Sequence, residues 1–269
     1  MLWEKLIAQL RGYPEAERGL CVAFSGGVDS AVVLRAACES GLPAEAVYFS
    51  TALHPARERA GAEALAAGLG AGFSVLEVDE LAEAGIENNP PDRCYRCKRL
   101  LFQKLGAFAA ERGLRVLCDG TNADDLLEYR PGLRALRELS VHSPLAELGL
   151  CKQEVRALAR ARGVEVSGKP SSPCLATRLE YNTPLAAADL ERIGRAEDFL
   201  KDLGFLAVRV RLHRGLARIE VPDGELERLA GLREKIKKEM KELGFRYITL
   251  DLEGLRSGSM DTGLRRTGE

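Results

Sequence analysis

One stretch near the start of the chain, Leu20–Leu34 with the sequence LCVAFSGGVDSAVVL, restricts the possible folds more than any other. Its first residues, Leu20–Phe24, form an apolar run with the length of a buried strand, and apolar residues recur at helical spacing from Ser30 onward. Gly26 and Gly27 lie between the two. A strand that turns into a helix through two glycines presents free backbone N–H groups at the helix N-terminus. The sequence therefore predicts an anion-binding loop.

The side chains of this loop indicate the kind of anion. Gly26 and Gly27 allow phosphate to approach the backbone, and Ser25 and Ser30 add hydroxyl donors. Asp29 would repel a bare phosphate, so we interpret it as a ligand of a Mg²⁺ ion that bridges phosphate oxygens. An ordinary glycine-rich turn is the alternative for any lone pair of glycines. The hexamer SGGVDS resembles the PP-loop of ATP pyrophosphatases, which adenylylate a substrate and release pyrophosphate; no Gly-Lys-Ser/Thr of a Walker A loop follows.

The segments that follow alternate between strands and helices of ten or more residues, which predicts βαβ units and an α/β fold with a doubly wound parallel sheet. The further predicted strands are Ala44–Ser50, Phe73–Val78, Arg115–Cys118 and Leu139–His142. Ligands of such sheets bind beyond the carboxyl ends of the strands. We therefore expect three loops beside the ATP: Ser25–Ser30, Ser50–Leu53 and Asp119–Asp125.

The third of these loops, DGTNADD, directly follows a predicted strand. Gly120 would allow a close approach of adenine or ribose. Its polar side chains suit ribose, magnesium or substrate: Thr121, Asn122, Asp124 and Asp125. A turn that ends in a helix N-cap is the alternative. Because the loop lies at the ligand edge of the sheet, we predict that Gly120, Thr121 and Asp124 bind the nucleotide together with Ser50.

Composition limits the class of protein. The 269 residues, 46% hydrophobic and 29% charged, describe a globular protein of one large or two modest domains. The formal net charge of −1 gives no electrostatic reason to expect nucleic-acid or membrane binding. No apolar run has the length of a membrane span, and the first residues lack the form of a secretion signal. We expect a cytoplasmic protein.

Seven cysteines, an odd number, favour thiol, metal or catalytic chemistry over a disulfide scaffold. Cys94 and Cys97 form C-x₂-C within NNPPDRCYRCK, at the start of an amphipathic helix, a spacing that suits one metal or cluster. Cys174 lies in the proline-bounded loop KPSSPCLATR, of a kind that presents a reactive side chain. The other four are expected to be structural: Cys21, Cys38, Cys118 and Cys151.

Three chemistries remain open for the three cysteines. A fourth ligand from elsewhere would make a structural zinc site. A [4Fe–4S] cluster held by Cys94, Cys97 and Cys174 would leave one iron free to bind sulfide. Without a metal, the Cys174 thiolate would itself attack an activated carbon.

The motifs SGGVDS, PPDRCYRCK, DGTNADD with the following YRPGLRA, and SSPCLATR together resemble one family, from about Gly19 to the C-terminus. It is the ATP-dependent sulfur transferase of nickel-pincer nucleotide cofactor assembly (the LarE family), which serves lactate racemase maturation. The resemblance implies that ATP adenylylates a carboxylate of pyridinium-3,5-biscarboxylic acid mononucleotide, and that sulfur then replaces AMP. It also implies a homo-oligomer and transient contact with other cofactor-assembly proteins.

The family looks divided into two chemistries. One type sacrifices the sulfur of a lone cysteine, which matches Cys174 here, and leaves dehydroalanine. The other type carries a [4Fe–4S] cluster on three cysteines that match Cys94, Cys97 and Cys174, and the cluster relays sulfide. Since this sequence has all three, we predict the cluster type, with Lys98 beside them as a further catalytic residue.

The sequence pattern changes after residue 182, which predicts a PP-loop domain over residues 1–182 and a smaller α+β domain over residues 183–269. In the second domain Leu206–His213 alternates strictly, with Arg209 and Arg211 on one face. A solvated strand face is one interpretation. Guanidinium groups also bind phosphate well, and the resemblance implies a substrate-phosphate site at Arg209 and Arg211 with Glu220 nearby.

Other functions share parts of this pattern. A PP-loop tRNA thiolase would also use C-x₂-C and a third cysteine, but it predicts a basic surface that the charge balance does not support. An amide-forming synthetase leaves the three cysteines unexplained. A nucleotide sensor with a structural zinc would bind ATP without cleaving it, and ATP–pyrophosphate exchange separates it from every enzyme.

Overall fold

The computed structural model of the chain describes residues 2–55, 57–128, 130–168, 173–256 and 260. Two of the segments predicted from the sequence lie outside these residues. One is residues 169–172, the first four of the predicted Cys174 loop. The other is the C-terminal tail, which its Gly-rich sequence predicts to be mobile and of which only residues 256 and 260 are described. Within the described part of the chain, no helix is long and apolar enough to span a membrane.

The chain divides into two compact units. The first unit comprises Met1–Thr51, Ala56–Ile86 and Asp92–Ser171. The second comprises Ala52–Pro55, Glu87–Pro91 and Ser172–Glu269.

A parallel sheet of four strands forms the centre of the first unit, as the described residues show. The strands are β1 (Leu20–Ala23), β2 (Ala44–Ser50), β3 (Gly72–Glu77) and β4 (Val116–Cys118). Their spatial order is β3-β2-β1-β4, so successive strands run outward from β1 in one direction and then cross to its other side. The loops after β1 and β4 therefore flank the point where the winding reverses, where open α/β sheets bind their ligands. The predicted parallel α/β fold is confirmed.

Helices cover both faces of this sheet. The helices of the first unit are α1 (Leu2–Gly12), α2 (Val28–Glu39), α3 (Arg57–Gly68), α4 (Glu80–Ala84), α5 (Arg93–Glu111), α6 (Gly132–Glu138), α7 (Pro144–Glu147) and α8 (Lys152–Ala161). Successive side chains of β1 point to opposite faces. Leu20 and Val22 pack into the apolar cluster with α1, α2 and α8, whereas Cys21 packs into the cluster with α5. A strand that is buried on both faces explains the continuous apolar run in its sequence.

The predicted fifth strand, Leu139–His142, is not formed. His142 makes an isolated parallel bridge with Cys118, and its backbone N–H donates to the carbonyl of Leu117 at 2.9 Å. The first two residues of the segment cannot extend the pairing, because Leu139 caps the end of α6 and Ser140 has a φ of 53°. Within this segment, His142 is therefore the one residue that pairs with β4.

The second unit contains a three-stranded sheet and helices. Its strands are β5 (Arg209–His213), β6 (Leu216–Glu220) and β7 (Tyr247–Leu250), with β6 antiparallel to β5 and parallel to β7. Its helices are α9 (Ala187–Asp202), α10 (Leu226–Gly231) and α11 (Arg233–Glu242). The charged pattern of Glu225–Leu243 predicts one long helix, but the structure has two, separated at Leu232, directly after Gly231, which is a poor helix former.

Two short segments from earlier in the chain complete the second unit. The Leu185 N–H donates to the Glu87 carbonyl at 2.7 Å, and the Asn182 N–H donates to the Asn89 carbonyl at 3.0 Å. The Leu175 N–H donates to the Leu53 carbonyl at 2.8 Å. These backbone bonds explain why residues distant in sequence belong to one unit.

Candidate active site

The predicted anion-binding loop lies between β1 and α2. Gly26 has a φ of 69°, and a Cβ at this position would lie 2.9 Å from the Cβ of Ala62, so only glycine fits here without strain. The Gly27 N–H donates to the Ser25 hydroxyl oxygen at 3.3 Å, and the Ser30 hydroxyl donates to the Gly27 carbonyl at 3.1 Å. No side chain caps the start of α2 within the described residues. The first N–H groups of the helix therefore point to the edge of the sheet, where an anion would bind.

The loop after β4 touches this helix start. A Cβ on Gly120 would lie 2.7 Å from the backbone nitrogen of Ser30 and 3.1 Å from the Cβ of Asp29. Glycine is thus required because two protein backbones meet here. Its predicted contact with adenine or ribose stays a prediction.

A charged cluster joins the start of α2 to the start of α8. The Lys152 ammonium donates to Asp29 Oδ2, and the Asn122 amide nitrogen lies 3.5 Å from Asp29 Oδ1. Lys152 was missed by the sequence reasoning. One signal was available, because a lysine at the first residue of a helix opposes the helix dipole and needs a compensating anion.

Asp119 organises the base of the same loop. It is buried, and its carboxylate accepts bonds from the Thr121 hydroxyl at 2.6 Å, the Ser143 hydroxyl at 2.7 Å and the Lys98 ammonium at 3.2 Å. This carboxylate was not among the predicted site residues. Its contact with Lys98 connects the loop after β4 to α5, the helix that carries Cys94 and Cys97.

Two of the remaining loop residues are bonded within the protein. Asp124 Oδ2 accepts from the Lys152 backbone N–H, at the start of α8, at 2.9 Å, and Asn122 Oδ1 accepts from the Asp124 N–H at 3.0 Å. These bonds give both side chains a structural role. Ser50 ends β2, and its carbonyl accepts from the Val78 N–H at 3.0 Å. Nucleotide binding by Asp124 and Ser50 stays a prediction.

The cysteines differ in their environments. Cys94 is exposed and Cys97 is half-buried, in the first two turns of α5. Burial raises the pKa of the Cys21 thiol to about 12 and raises that of the Cys118 thiol well above its usual value. No group of three or more potential ligands from cysteine, histidine, aspartate or glutamate forms a metal site among the residues described.

Cys174 belongs to the second unit, where it directly precedes a 3-10 turn, Leu175–Arg178. It is half-buried and unbonded to another cysteine. Its backbone carbonyl accepts from the Thr177 hydroxyl at 2.8 Å.

The predicted phosphate ligands of the second unit are not equivalent. Arg211 and Glu220 are buried and form a two-pronged ion pair, with N–O distances of 3.0 and 2.9 Å. A solvated strand face is therefore excluded for both. Arg209 is half-buried; its guanidinium donates to the Arg256 carbonyl at 3.1 Å, and it lies opposite Glu220 in the pairing of β5 with β6. Burial and the charges of Arg211 and Arg178 lower the Arg209 pKa, and the carboxylates of Glu220 and Glu197 offset them only in part.

The parallel sheet, with its glycine-rich loop at the point of reversal, has the architecture of the PP-loop fold. No family model matches the chain. A more distant relative, the tRNA-specific 2-thiouridylase MnmA of Streptomyces coelicolor, is 29% identical over 70% of this chain and 61% of its own length, and it supports this fold.

Two relatives match nearly the whole chain. An uncharacterized Synechocystis protein, slr1717, is 38% identical over 99% of this chain and 100% of its own length. The pyridinium-3,5-bisthiocarboxylic acid mononucleotide synthase of Lactiplantibacillus plantarum is 37% identical over 91% of this chain and 90% of its own length. The chain belongs to the family of this synthase, and it is an enzyme of the sulfurtransferase class.

Proposed function

We propose that this enzyme uses ATP to convert a carboxylate of pyridinium-3,5-biscarboxylic acid mononucleotide into a thiocarboxylate. The observation that carries the proposal is the cluster of Asp29, Lys152 and Asn122 beside the uncapped start of α2. The cluster combines N–H donors, a cation and a carboxylate, which are the groups that a Mg²⁺–nucleotide triphosphate needs. The name of the Lactiplantibacillus relative specifies the product.

Activation of the carboxylate is the first step. A substrate carboxylate oxygen forms a bond to the α-phosphorus of ATP, and the bond from that phosphorus to the bridging oxygen breaks as pyrophosphate leaves with its electron pair. The N–H groups at the start of α2 and the Ser30 hydroxyl would bind the phosphate oxygens. Lys152 would balance the negative charge that gathers on the departing pyrophosphate.

Asp29 fits a Mg²⁺ site because its carboxylate is partly exposed at the uncapped helix start. Magnesium is usually bound in proteins by one or two carboxylates together with substrate phosphates. When bound, the ion would neutralise phosphate charge, and Lys152 would then be released from Asp29 to contact the phosphates directly.

Sulfur then replaces AMP. A sulfur nucleophile bonds to the acyl carbon, and the bond from this carbon to the AMP oxygen breaks. If Cys174 is the donor, its thiolate forms the thioester; removal of its α-proton then breaks the Cβ–S bond and leaves dehydroalanine and the thiocarboxylate. If Cys94, Cys97 and Cys174 hold a [4Fe–4S] cluster, the sulfide comes from outside the chain.

Of these two sulfur sources we propose the [4Fe–4S] cluster, and the only argument for it is the chemical type of its ligands. Cysteine thiolates are the ligands of such clusters, and the spacing of Cys94 and Cys97 on α5 suits two of them. The described residues do not bring three ligands into one group, so no step of the reaction is assigned to the cluster.

Measurement of iron and acid-labile sulfide on protein purified without oxygen tests for the cluster, with Cys94→Ala as the comparison. About four of each per chain, lost in the variant, would support the cluster; zinc alone would favour a structural site, and no metal after reconstitution would return the chemistry to Cys174.

The substrate phosphate is proposed to bind at Arg209, because no described residue forms a salt bridge with this guanidinium, and because burial and the charges of Arg211 and Arg178 lower its pKa more than Glu220 and Glu197 raise it. Arg211 and Glu220 would contribute by joining β5, the strand that carries Arg209, to β6, since the two side chains form an ion pair with each other.

The decisive experiment incubates the enzyme with the biscarboxylic mononucleotide, ATP and Mg²⁺, and follows AMP, pyrophosphate and the mass of the nucleotide. We expect AMP and pyrophosphate in equal amounts and an exchange of oxygen for sulfur in the product. ATP–pyrophosphate exchange that needs the mononucleotide should remain when Cys174 is replaced by alanine, because activation precedes sulfur transfer. Binding of ATP without exchange would contradict the proposal and favour a nucleotide sensor.

A tRNA thiolase is the second candidate, favoured by the similarity to the 2-thiouridylase MnmA. The net charge of −1 gives this candidate no basic footprint for RNA. ATP–pyrophosphate exchange that depends on tRNA, and not on the mononucleotide, would establish it. Self-association of the enzyme is also proposed, and light scattering on the purified protein tests it.

A further inference from the structure

The backbone that carries Cys174 is held by side chains from elsewhere in the second unit. The carbonyls of Ala176, Leu179 and Glu180 accept from the buried Asn89 amide at 3.4, 3.3 and 2.8 Å. The Thr177 carbonyl accepts from Arg211. The Ala176 carbonyl also accepts from the Leu179 backbone N–H at 3.3 Å. The other three carbonyls are bonded by side chains instead of by regular secondary structure, so side chains determine the course of this segment.

Arg178 contacts the backbone on both sides of the cysteine. Its Nη1 donates to the Pro173 carbonyl at 3.0 Å and to the Thr177 hydroxyl oxygen at 2.8 Å, and it lies 3.4 Å from the Cys174 carbonyl oxygen. Its Nε and Nη2 donate to the two carboxylate oxygens of Glu197 at 2.7 and 2.9 Å. One planar guanidinium thus connects the cysteine-bearing backbone to a carboxylate on α9.

Glu197 is itself fixed from a second direction. Its Oε1 accepts from the backbone N–H of Val210 in β5 at 3.0 Å. The side chains of Arg178 and Glu197 are 2% and 1% exposed. A buried ion pair is often no more stabilising than well-packed apolar residues of similar volume, so its presence at this place favours a role in geometry over one in stability.

We infer that Arg178, held by Glu197, is a positioning residue that fixes Cys174 for sulfur transfer. The inference rests on the proposed function only in taking Cys174 as a residue that handles sulfur. Lysine cannot replace the arginine, because one ammonium group cannot reproduce the planar fork to Glu197 and the bonds to the turn at the same time.

The test separates geometry from stability with the double variant Arg178→Met/Glu197→Gln. It removes the buried charges together, and the glutamine oxygen can still accept from the Val210 N–H. The matched control is Leu200→Ala, which leaves a cavity at a fully buried position of the same helix and removes no hydrogen bond to the turn. Hydrogen exchange of residues 173–180 and peptide-resolved alkylation of Cys174 by iodoacetamide are measured for each protein.

In the double variant we expect exchange in residues 173–180 to be about tenfold faster and alkylation of Cys174 to be roughly threefold faster, because the released turn opens more often. In Leu200→Ala both rates should stay close to wild type while the melting temperature falls. Should the double variant fail to fold, Arg178→Lys keeps the charge and is expected to shift both rates in the same direction.

Unchanged exchange and unchanged alkylation in a folded Arg178 variant would overturn the inference, as would an equal acceleration in Leu200→Ala. Neither readout needs the reaction to occur, so they stand even if wild-type enzyme makes no thiocarboxylate and the proposed function fails. Where thiocarboxylate does form, kcat should fall about tenfold in Arg178→Lys, while the KM for ATP, whose predicted site lies in the first unit, stays within about twofold of wild type.

Discussion

The ammonium group of Lys152, at the first residue of α8, contacts the carboxylate of Asp29, in the first turn of α2. The Lys152 backbone N–H is also bonded to Asp124. A cation at a helix N-terminus is unfavourable on its own, and the two carboxylates offset it. This lysine therefore lies where the positive ends of two helices converge, a position that suits the binding of several phosphate charges.

The first prediction concerns Lys152→Gln. Removing a charge-assisted contact should weaken the binding of Mg²⁺-ATP about 10- to 100-fold, because hydrogen bonds to charged groups contribute about 1.5–3 kcal/mol. Calorimetric titration with ATP and Mg²⁺ measures the affinity. Arg160→Gln, the same change of charge at an exposed position in the last turn of α8, is the control and should bind ATP as wild type does. Equal affinity of the two variants would show that Lys152 only stabilises the fold.

The sequence predicted the loops of this site better than their partners. The glycine-rich loop and the loop after β4 were recognisable because strand ends and glycines mark them locally. Lys152 and Asp119 were not recognised as site residues, since each acts through a side-chain contact with a residue far away in sequence, and no local pattern records that contact. The same holds for Arg178 and Asn89.

The second prediction concerns Gly120→Ala. The new methyl group would collide with the backbone of Ser30, and backbone cannot move aside as a flexible side chain can. We expect a loss of about 1–3 kcal/mol in the free energy of unfolding, together with weaker ATP binding, because the start of α2 is displaced. Urea denaturation and ATP titration measure the two effects.

Gly106→Ala is the matched control for this substitution. Gly106 lies within α5, and a Cβ there would be 3.7 Å from a Leu117 methyl group, an ordinary contact. Alanine in a helix should be neutral or stabilising by about 0.5–1 kcal/mol. If Gly120→Ala behaved like Gly106→Ala, the close approach of the two loops would not constrain residue 120.

The second unit shows where alternation in a sequence misleads. The alternation within Leu206–His213 indicates a strand, and β5 forms there, but its polar face is not simply solvated, since Arg211 and Glu220 are buried against each other. A charged residue in an alternating strand pattern is expected to be exposed unless its partner is known. That partner, Glu220, lies on the neighbouring strand, where it is the register partner of Arg209, and register is a tertiary property.

The third prediction concerns alkaline pH. Burial raises the pKa of the Cys21 thiol to about 12 in the folded protein, whereas an unfolded cysteine ionises near pH 8.5. The contribution of this thiol to the free energy of unfolding is fully present below about pH 8.5. It decreases above that pH, because there the thiol is ionised in the unfolded state and still protonated in the folded state. The free energy of unfolding should fall by up to ~1.4 kcal/mol per pH unit for this thiol.

Urea denaturation at about pH 7.5 and pH 9.5 measures this dependence. Cys21→Ala should show a smaller loss between the two pH values than wild type. Val22→Ala shortens the neighbouring side chain of the same strand and removes no titrating group, so it should keep the wild-type loss. Identical pH dependence in Cys21→Ala and wild type would contradict the prediction.

The fourth prediction concerns Asn89, which is buried, has a φ of 50° and donates to three carbonyls of the Cys174 segment. Asn89→Ala loses these bonds and adds backbone strain, so it should lower the free energy of unfolding by about 3–4 kcal/mol. Asn89→Gly tolerates the φ value and loses only the bonds, so its loss should be about 2–3 kcal/mol.

Asn182→Ala measures the cost of backbone strain separately from the loss of hydrogen bonds. Asn182 is exposed and has a φ of 59°, without a side-chain hydrogen bond among the described residues. Its replacement should cost up to about 1–2 kcal/mol, because asparagine adopts a left-handed conformation more readily than alanine does. If Asn89→Gly were as stable as wild type, the three carbonyl bonds would contribute little, and the Cys174 segment would depend on Arg178 and Arg211 instead. A large loss in Asn89→Gly, with exchange of residues 173–180 accelerated as in the Arg178 variants, would show that both side chains hold the same turn.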